Sequence, residues 1–128
     1  MKSLYFTEEH DLFRQSVRQF VQKEILPYGN QWEQEEKIAR ELFVKLVEQG
    51  FLVINHDEAY GGSKSDIFYT CAYLEEIARA GYGGVCAAVS VHQYMATNHI
   101  AEAGSHELKE RFLRPSIEGK KVGAIAIT

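Results

Sequence analysis

The chain has 128 residues, of which 45% are hydrophobic and 25% charged, and its formal net charge is −4 at pH 7. This composition is typical of one globular domain and excludes a disordered chain. The mild acidity argues against a nucleic-acid-binding protein, which would present a basic face. The sequence has neither a long apolar stretch nor the character of a signal or transit peptide, so we expect a cytoplasmic protein without a membrane span.

Three helices are predicted in the first part of the chain. Thr7 is a candidate N-cap, and the apolar residues that follow it recur with a period of 3.6 until Pro27 ends the pattern. A short second helix is predicted over 30–36. The third is predicted over 39–49, with Gly50 at the position where a left-handed residue closes a helix.

The middle of the chain combines an apolar run, a loop and a fourth helix. Phe51–Ile54 is short and apolar, which fits a buried strand or an extended segment. The loop over 55–65 contains two adjacent glycines. Apolar residues at helical spacing then predict a fourth helix over 66–80.

Two further helices are predicted before the C-terminal residues. The fifth spans 85–103, and because residues 85–91 are small and apolar all round, we expect that part to be buried on every side. Ser105 caps the sixth helix, which Pro115 is expected to end.

Residues 122–127 are β-branched or alanine-rich and predict a strand. A single strand has no partner in an otherwise helical domain, so we expect it to belong to a sheet built from other residues. The predicted fold class is therefore all-α, with six helices packed as a bundle and one C-terminal β-strand.

No metal site is predicted. Cys71 and Cys86 do not supply the four ligands of a zinc site, and we interpret them as buried thiols in a reducing cytoplasm. His92 and His99 are seven residues apart, about 10 Å along a helix, which is too far to share one ion. The remaining histidines are interpreted as isolated surface or packing residues: His10, His56 and His106.

Familiar catalytic motifs are missing, and no catalytic residue is predicted in this chain. Glu75 and Glu76 are the closest candidates for a pair of catalytic bases. Adjacent residues on a helix point about 100° apart, so the two carboxylates cannot face one substrate. We interpret them as surface charges, one of which pairs with Arg79.

Several stretches, taken together, resemble the acyl-CoA dehydrogenase family in order and spacing over nearly the whole chain. They are Phe6-Thr7-Glu8-Glu9-His10 with Phe13 to Phe20, Glu24-Ile25-Leu26-Pro27, Gln49-Gly50-Phe51-Leu52, Glu58-Ala59-Tyr60-Gly61-Gly62, Leu74 to Ala80, Gly104 to Gly119, and Ala124-Ile125-Ala126-Ile127-Thr128. The resemblance implies that residues 1–121 are the family's N-terminal helical domain. Residues 122–128 would be the first strand of its middle β-domain.

The resemblance also implies an activity. Members use FAD to oxidise an acyl-CoA to the trans-2-enoyl-CoA, with a glutamate as the base that removes the α-proton. An electron-transfer flavoprotein is the expected electron acceptor, and a homo-dimer or tetramer the expected assembly. The catalytic glutamate and most flavin contacts correspond to positions beyond Thr128, so we expect these 128 residues alone to be inactive and to bind no FAD.

Two sets of residues match functional positions of the family. The flavin-contact set is Ile125, Ile127 and Thr128. The set that lines the acyl-chain pocket is Ala87, Ala88, Val91 and Met95. An ordinary core strand and simple helix packing are the alternatives for these sets. Two other functions stay open: a stand-alone helical interaction module without catalysis, and an acyl-CoA oxidase-like relative.

Overall fold

The structure is a computed structural model that describes residues 3–128. The chain divides into two compact units. The first unit combines the residues up to Ala39 with Asp66–Cys86, and the second combines Arg40–Ser65 with Ala87–Thr128.

Six helices form the regular structure of the described residues, which confirms the all-α prediction. Helix α1 is Glu8–Phe20 followed by a π-helical turn, Val21–Ile25. Helices α2, α3 and α4 are Gly29–Gln34, Glu41–Glu48 and Ile67–Ala78. Helix α5 comprises Gly83–Ser90, a π-helical turn over Val91–Ala96, and Thr97–Ala103. Helix α6 comprises His106–Leu108, a π-helical turn over Lys109–Leu113, and Arg114–Ile117. A 3₁₀ turn, Glu58–Tyr60, lies in the loop before α4.

In the first unit, α1 packs along α4. Thr7 caps α1 as predicted: its side chain accepts from the His10 amide, and its own N–H donates to His10 Nδ1 at 2.9 Å. The buried face of α1 meets that of α4 because apolar residues recur on one side of each helix. The residues with no exposed surface are Val17, Ile25, Ala72, Tyr73 and Ile77.

The second unit contains α3, residues 87–103 of α5, and α6. Leu42 and Leu46 form the buried side of α3, and Leu113 and Ile117 that of α6. Phe51–Ile54 forms turns rather than a strand; its first residue donates a backbone hydrogen bond to the carbonyl of Leu46 at 2.9 Å. Phe51, Leu52 and Ile54 are nonetheless buried, as a short apolar run predicts.

Two local predictions are wrong. Pro115 does not end the sixth helix: it lies in the first turn of Arg114–Ile117, where a missing N–H costs little, and the helix continues. Nor is the start of α5 buried on every side, because Val85 and Val89 are buried while Ala87 is exposed.

The predicted strand over 122–127 is also not formed. Residues 121–128 carry no regular secondary structure. A strand exists only as part of a hydrogen-bonded ladder, and residues 3–128 offer no second strand to pair with. Over the same range, no helix is both long and apolar enough to cross a membrane.

Candidate functional site

The four candidate acyl-pocket residues lie on α5, and each keeps part of its surface open. Ala87 is exposed, Ala88 and Val91 are half-buried, and Met95 is 46% exposed. Residues four apart share a helix face, so Ala87, Val91 and Met95 form one row. The structure therefore brings these residues together on a small-residue, apolar and partly open surface.

The opposite side of α5 carries a buried polar network. Gln93 Nε2 donates to the carbonyl of Phe51 at 2.7 Å and to Asn55 Oδ1 at 3.0 Å. Thr97 Oγ1 donates to the carbonyl of Gln93 at 2.8 Å and lies 3.1 Å from His56 Nε2. Because the buried polar groups of α5 bond to the turn over residues 51–56, the network fixes that turn against the helix.

The π-helical turn, Val91–Ala96, sets which side chains face the core. Thr97 donates its backbone N–H to the carbonyl of His92, five residues earlier. Such turns occur frequently at functional sites. Here the turn contains the buried His92 and Gln93 together with the open Met95.

His56 and His92 are both buried and belong to this region, which the sequence reasoning missed. Burial, aided by the nearby His92, lowers the pKa of His56 to about 4. Burial also lowers the pKa of His92, against a hydrogen bond with the Ser116 backbone that raises it. Both rings are therefore neutral at pH 7. For His92, the available signal was a polar residue within an otherwise apolar stretch of helix.

The C-terminal residues approach α5 at Gly123. Gly123 donates its N–H to His92 Nδ1 at 2.9 Å. A Cβ at position 123 would lie 2.9 Å from the Cβ of Ala96, so glycine permits this close approach. Beyond it, the flavin-contact candidates lie outward: Ile125 is half-buried, Ile127 is 75% exposed and Thr128 is exposed.

Glu76 is not a surface charge, which corrects the prediction. Its side chain is fully buried and accepts from Arg18 Nε and Nη2, each at 2.9 Å. Arg79 lies 3.5 Å away, as the predicted pairing requires, and Arg14 lies 3.4 Å away. The hydrogen bonds from Arg18 lower the pKa of Glu76 despite its burial. The neighbouring Glu75 is exposed and pairs with Arg14, so the two carboxylates have separate environments.

The cysteines differ from expectation as well. Both are free, but Cys71 is exposed and Cys86 half-buried, so neither is a fully buried thiol. Across residues 3–128, the structure brings together no group of three potential metal-ligating side chains.

Comparison with known proteins identifies the family. The family model described as "Acyl-CoA dehydrogenase, N-terminal domain" matches residues 7–120. The chain is 40% identical over 123 residues to the mitochondrial long-chain specific acyl-CoA dehydrogenase of Rattus norvegicus, covering 96% of this chain and 28% of the rat protein.

Solved structures agree with this match. An acyl-CoA dehydrogenase from Geobacillus kaustophilus superposes with a TM-score of 0.87 at 32% identity, over 94% of this chain and 31% of that one. An acyl-CoA dehydrogenase from Bacillus anthracis complexed with FAD superposes with a TM-score of 0.86 at 26% identity, over 96% of this chain and 21% of that one. The chain thus spans less than a third of each of these relatives, and it belongs to the acyl-CoA dehydrogenase family, matching its N-terminal domain.

Proposed function

We propose that this chain is the part of an FAD-dependent acyl-CoA dehydrogenase that lines the acyl pocket and contacts the flavin. The observation that carries the proposal is the open row of small and apolar side chains on α5, at positions that the resemblance assigns to the family's acyl pocket. In this proposal residues 1–121 form the N-terminal helical domain and residues 122–128 begin the middle β-domain.

The pocket assignment comes from the family resemblance, and the size and polarity of the four residues support it. Ala87 and Ala88 leave space beside the helix that an acyl chain can occupy, while Val91 and Met95 supply an apolar wall. Each methylene group that such a wall removes from water contributes about 0.8 kcal/mol. No charged side chain belongs to this set of four, as a hydrocarbon ligand requires.

The C-terminal residues fit a flavin in their chemistry. Ile127 is an isoleucine with 75% of its surface exposed, and the Thr128 hydroxyl is free to approach a polar ring edge. A few placed polar groups in an apolar wall are what a cofactor site needs. FAD, when bound, would supply the hydride acceptor of the reaction. Ile125 and Ile127 would contact its ring, and Thr128 would hydrogen-bond to it.

We further propose that residues 122–127 become a strand when a neighbouring strand of the middle domain is available to pair with them. Val122, Ile125 and Ile127 are β-branched, and such residues favour a sheet once a partner exists. No catalytic residue is assigned within these 128 residues. The proposed setting is a cytoplasmic homo-dimer or tetramer with acyl-CoA as substrate and an electron-transfer flavoprotein as electron acceptor.

Two measurements test this proposal. In the complete protein that carries this chain, Thr128→Ala and Thr128→Ser should separate the role of the hydroxyl from that of the backbone. We expect weaker FAD binding in the alanine variant and near-normal binding in the serine variant. If the alanine and serine variants bind FAD with equal affinity, the Thr128 hydroxyl does not contact the flavin. Reoxidation of the reduced enzyme by oxygen, as fast as by a flavoprotein acceptor, would favour the oxidase-like alternative.

A further inference from the structure

His92 is a buried imidazole on α5 that accepts a hydrogen bond from the C-terminal residues. His92 is 1% exposed and lies on the packed side of α5. It contacts three other parts of the second unit. The ring of Phe43 on α3 lies edge-on to it at 5.2 Å between centroids, the Ser116 backbone on α6 hydrogen-bonds to it, and Gly123 donates to it.

The hydrogen bond from Gly123 determines the protonation state that this site needs. A backbone N–H is always a donor, so His92 Nδ1 must present its lone pair and carry no proton. In a neutral ring the proton then lies on Nε2, which leaves Nε2 as the donor for a backbone carbonyl. Burial lowers the pKa of His92 and so favours this neutral ring at pH 7. The neighbouring His56 ring, whose pKa is about 4, is neutral at pH 7 as well.

The contact at Gly123 is also close in space. Ala96 stands one turn after His92 on the same helix, and any side chain at position 123 would collide with it. One hydrogen bond and one close steric fit therefore hold the chain against α5 at Gly123. Five residues farther along the chain comes Thr128, within about 17 Å of Gly123 even if the segment is fully extended.

We propose that His92 is a positioning residue for the flavin-contact segment, residues 124–128. By accepting the Gly123 N–H, its neutral imidazole fixes the point on α5 from which this segment extends. The inference rests on the proposed function, because only that function gives residues 124–128 a flavin to contact. It assigns His92 no contact with flavin or substrate.

The test uses two variants that mimic different nitrogens of the ring. His92→Asn keeps an acceptor near the position of Nδ1, whereas His92→Gln keeps a polar group near Nε2 and removes that acceptor. In the 128-residue chain, nitrogen-15 NMR should detect a scalar coupling between the Gly123 amide nitrogen and His92 Nδ1 across the hydrogen bond. Hydrogen exchange at Gly123 should be about tenfold faster in the glutamine variant and unchanged in the asparagine variant.

The amide of Val89, in the buried core of the same unit, is the internal control. Faster exchange at Val89 as well as at Gly123 in both variants would mean general unfolding and would overturn the specific role of His92. Absence of the coupling, or equal exchange at Gly123 in all three proteins, would also overturn it.

A second readout separates this inference from the proposed function. In the complete protein, FAD should bind about tenfold more weakly to the glutamine variant and normally to the asparagine variant, in step with Gly123 exchange. If the unmodified protein binds no FAD, the proposed function fails, while the NMR result still decides whether His92 holds the segment. If FAD binds equally to both variants although Gly123 is released only in the glutamine variant, the flavin-positioning role is wrong.

Discussion

Arg18 donates hydrogen bonds to both carboxylate oxygens of Glu76, from Nε and from Nη2, each at 2.9 Å. The carboxylate is fully buried, and its pairing with Arg18 links α4 to α1. Three arginines compensate its charge, so the ion pair of Arg18 and Glu76 has a structural role and stabilises the first unit. It is not available as a base.

Replacing Glu76 should therefore reduce stability more than replacing its neighbour. Glu76→Gln leaves the guanidinium groups facing a neutral amide, and we expect a loss of about 3 kcal/mol in the free energy of unfolding. Glu75→Gln is the matched control on the same turn, and because Glu75 is exposed we expect a change below about 1 kcal/mol. Urea unfolding measures both. Equal losses would show that burial of Glu76 does not govern its contribution.

The buried histidines predict an acid-sensitive fold. An unfolded histidine titrates near 6.5, whereas the folded pKa of His56 is about 4, so the unfolded chain binds more protons between these values. The free energy of unfolding should fall as the pH drops from about 6.5 to about 4, by on the order of 3 kcal/mol from His56. His56→Leu should flatten this dependence. His99→Gln, at an exposed position, should keep it. A wild-type chain equally stable at pH 7 and pH 5 would refute the explanation.

The glycine pair of the loop before α4 should respond unequally to alanine. A Cβ at Gly62 would overlap the backbone of His56, so Gly62→Ala should cost about 3 kcal/mol by forcing that buried residue aside. Gly61 has a φ of +97° but open space around it, and Gly61→Ala should cost only about 1 kcal/mol for the left-handed backbone. Thermal unfolding of the two variants compares them directly. The opposite order would mean that the loop does not pack on His56 as described.

Much of this fold could be predicted from local pattern. The Thr7 cap, the α3 and α4 spans and the Ser105 cap were all predicted, because each depends on neighbours within a few residues. The Glu76–Arg18 pair joins residues 58 positions apart, and spacing within one helix cannot reveal it.

Contacts between residues far apart in the sequence also explain the other features that the sequence did not predict. The burial of His56 beside α5 depends on a network that closes over 41 residues of sequence. Residues 122–127 have the composition of a strand, but a strand needs a partner that residues 3–128 do not provide. The row of Ala87, Val91 and Met95 was recognised by resemblance, while its exposure could be seen only in the structure.

The pocket proposal predicts a change in chain-length preference. In the complete enzyme, Ala88→Phe should fill the space beside α5 and reduce kcat/KM for palmitoyl-CoA far more than for butyryl-CoA, because each buried methylene contributes about 0.8 kcal/mol. Ala103→Phe, the same substitution at the exposed end of α5, should leave the profile unchanged. If the profile keeps its shape in Ala88→Phe and only stability falls, the alanines are packing residues.

The most direct test of the account is anaerobic titration of the complete protein with acyl-CoA thioesters while the visible spectrum of its flavin is recorded. We predict a protein purified with bound FAD, whose absorbance bleaches as a saturated acyl-CoA is converted to the enoyl-CoA. A complete protein without flavin, or a flavin that no acyl-CoA from butyryl to palmitoyl reduces, would contradict the proposed function.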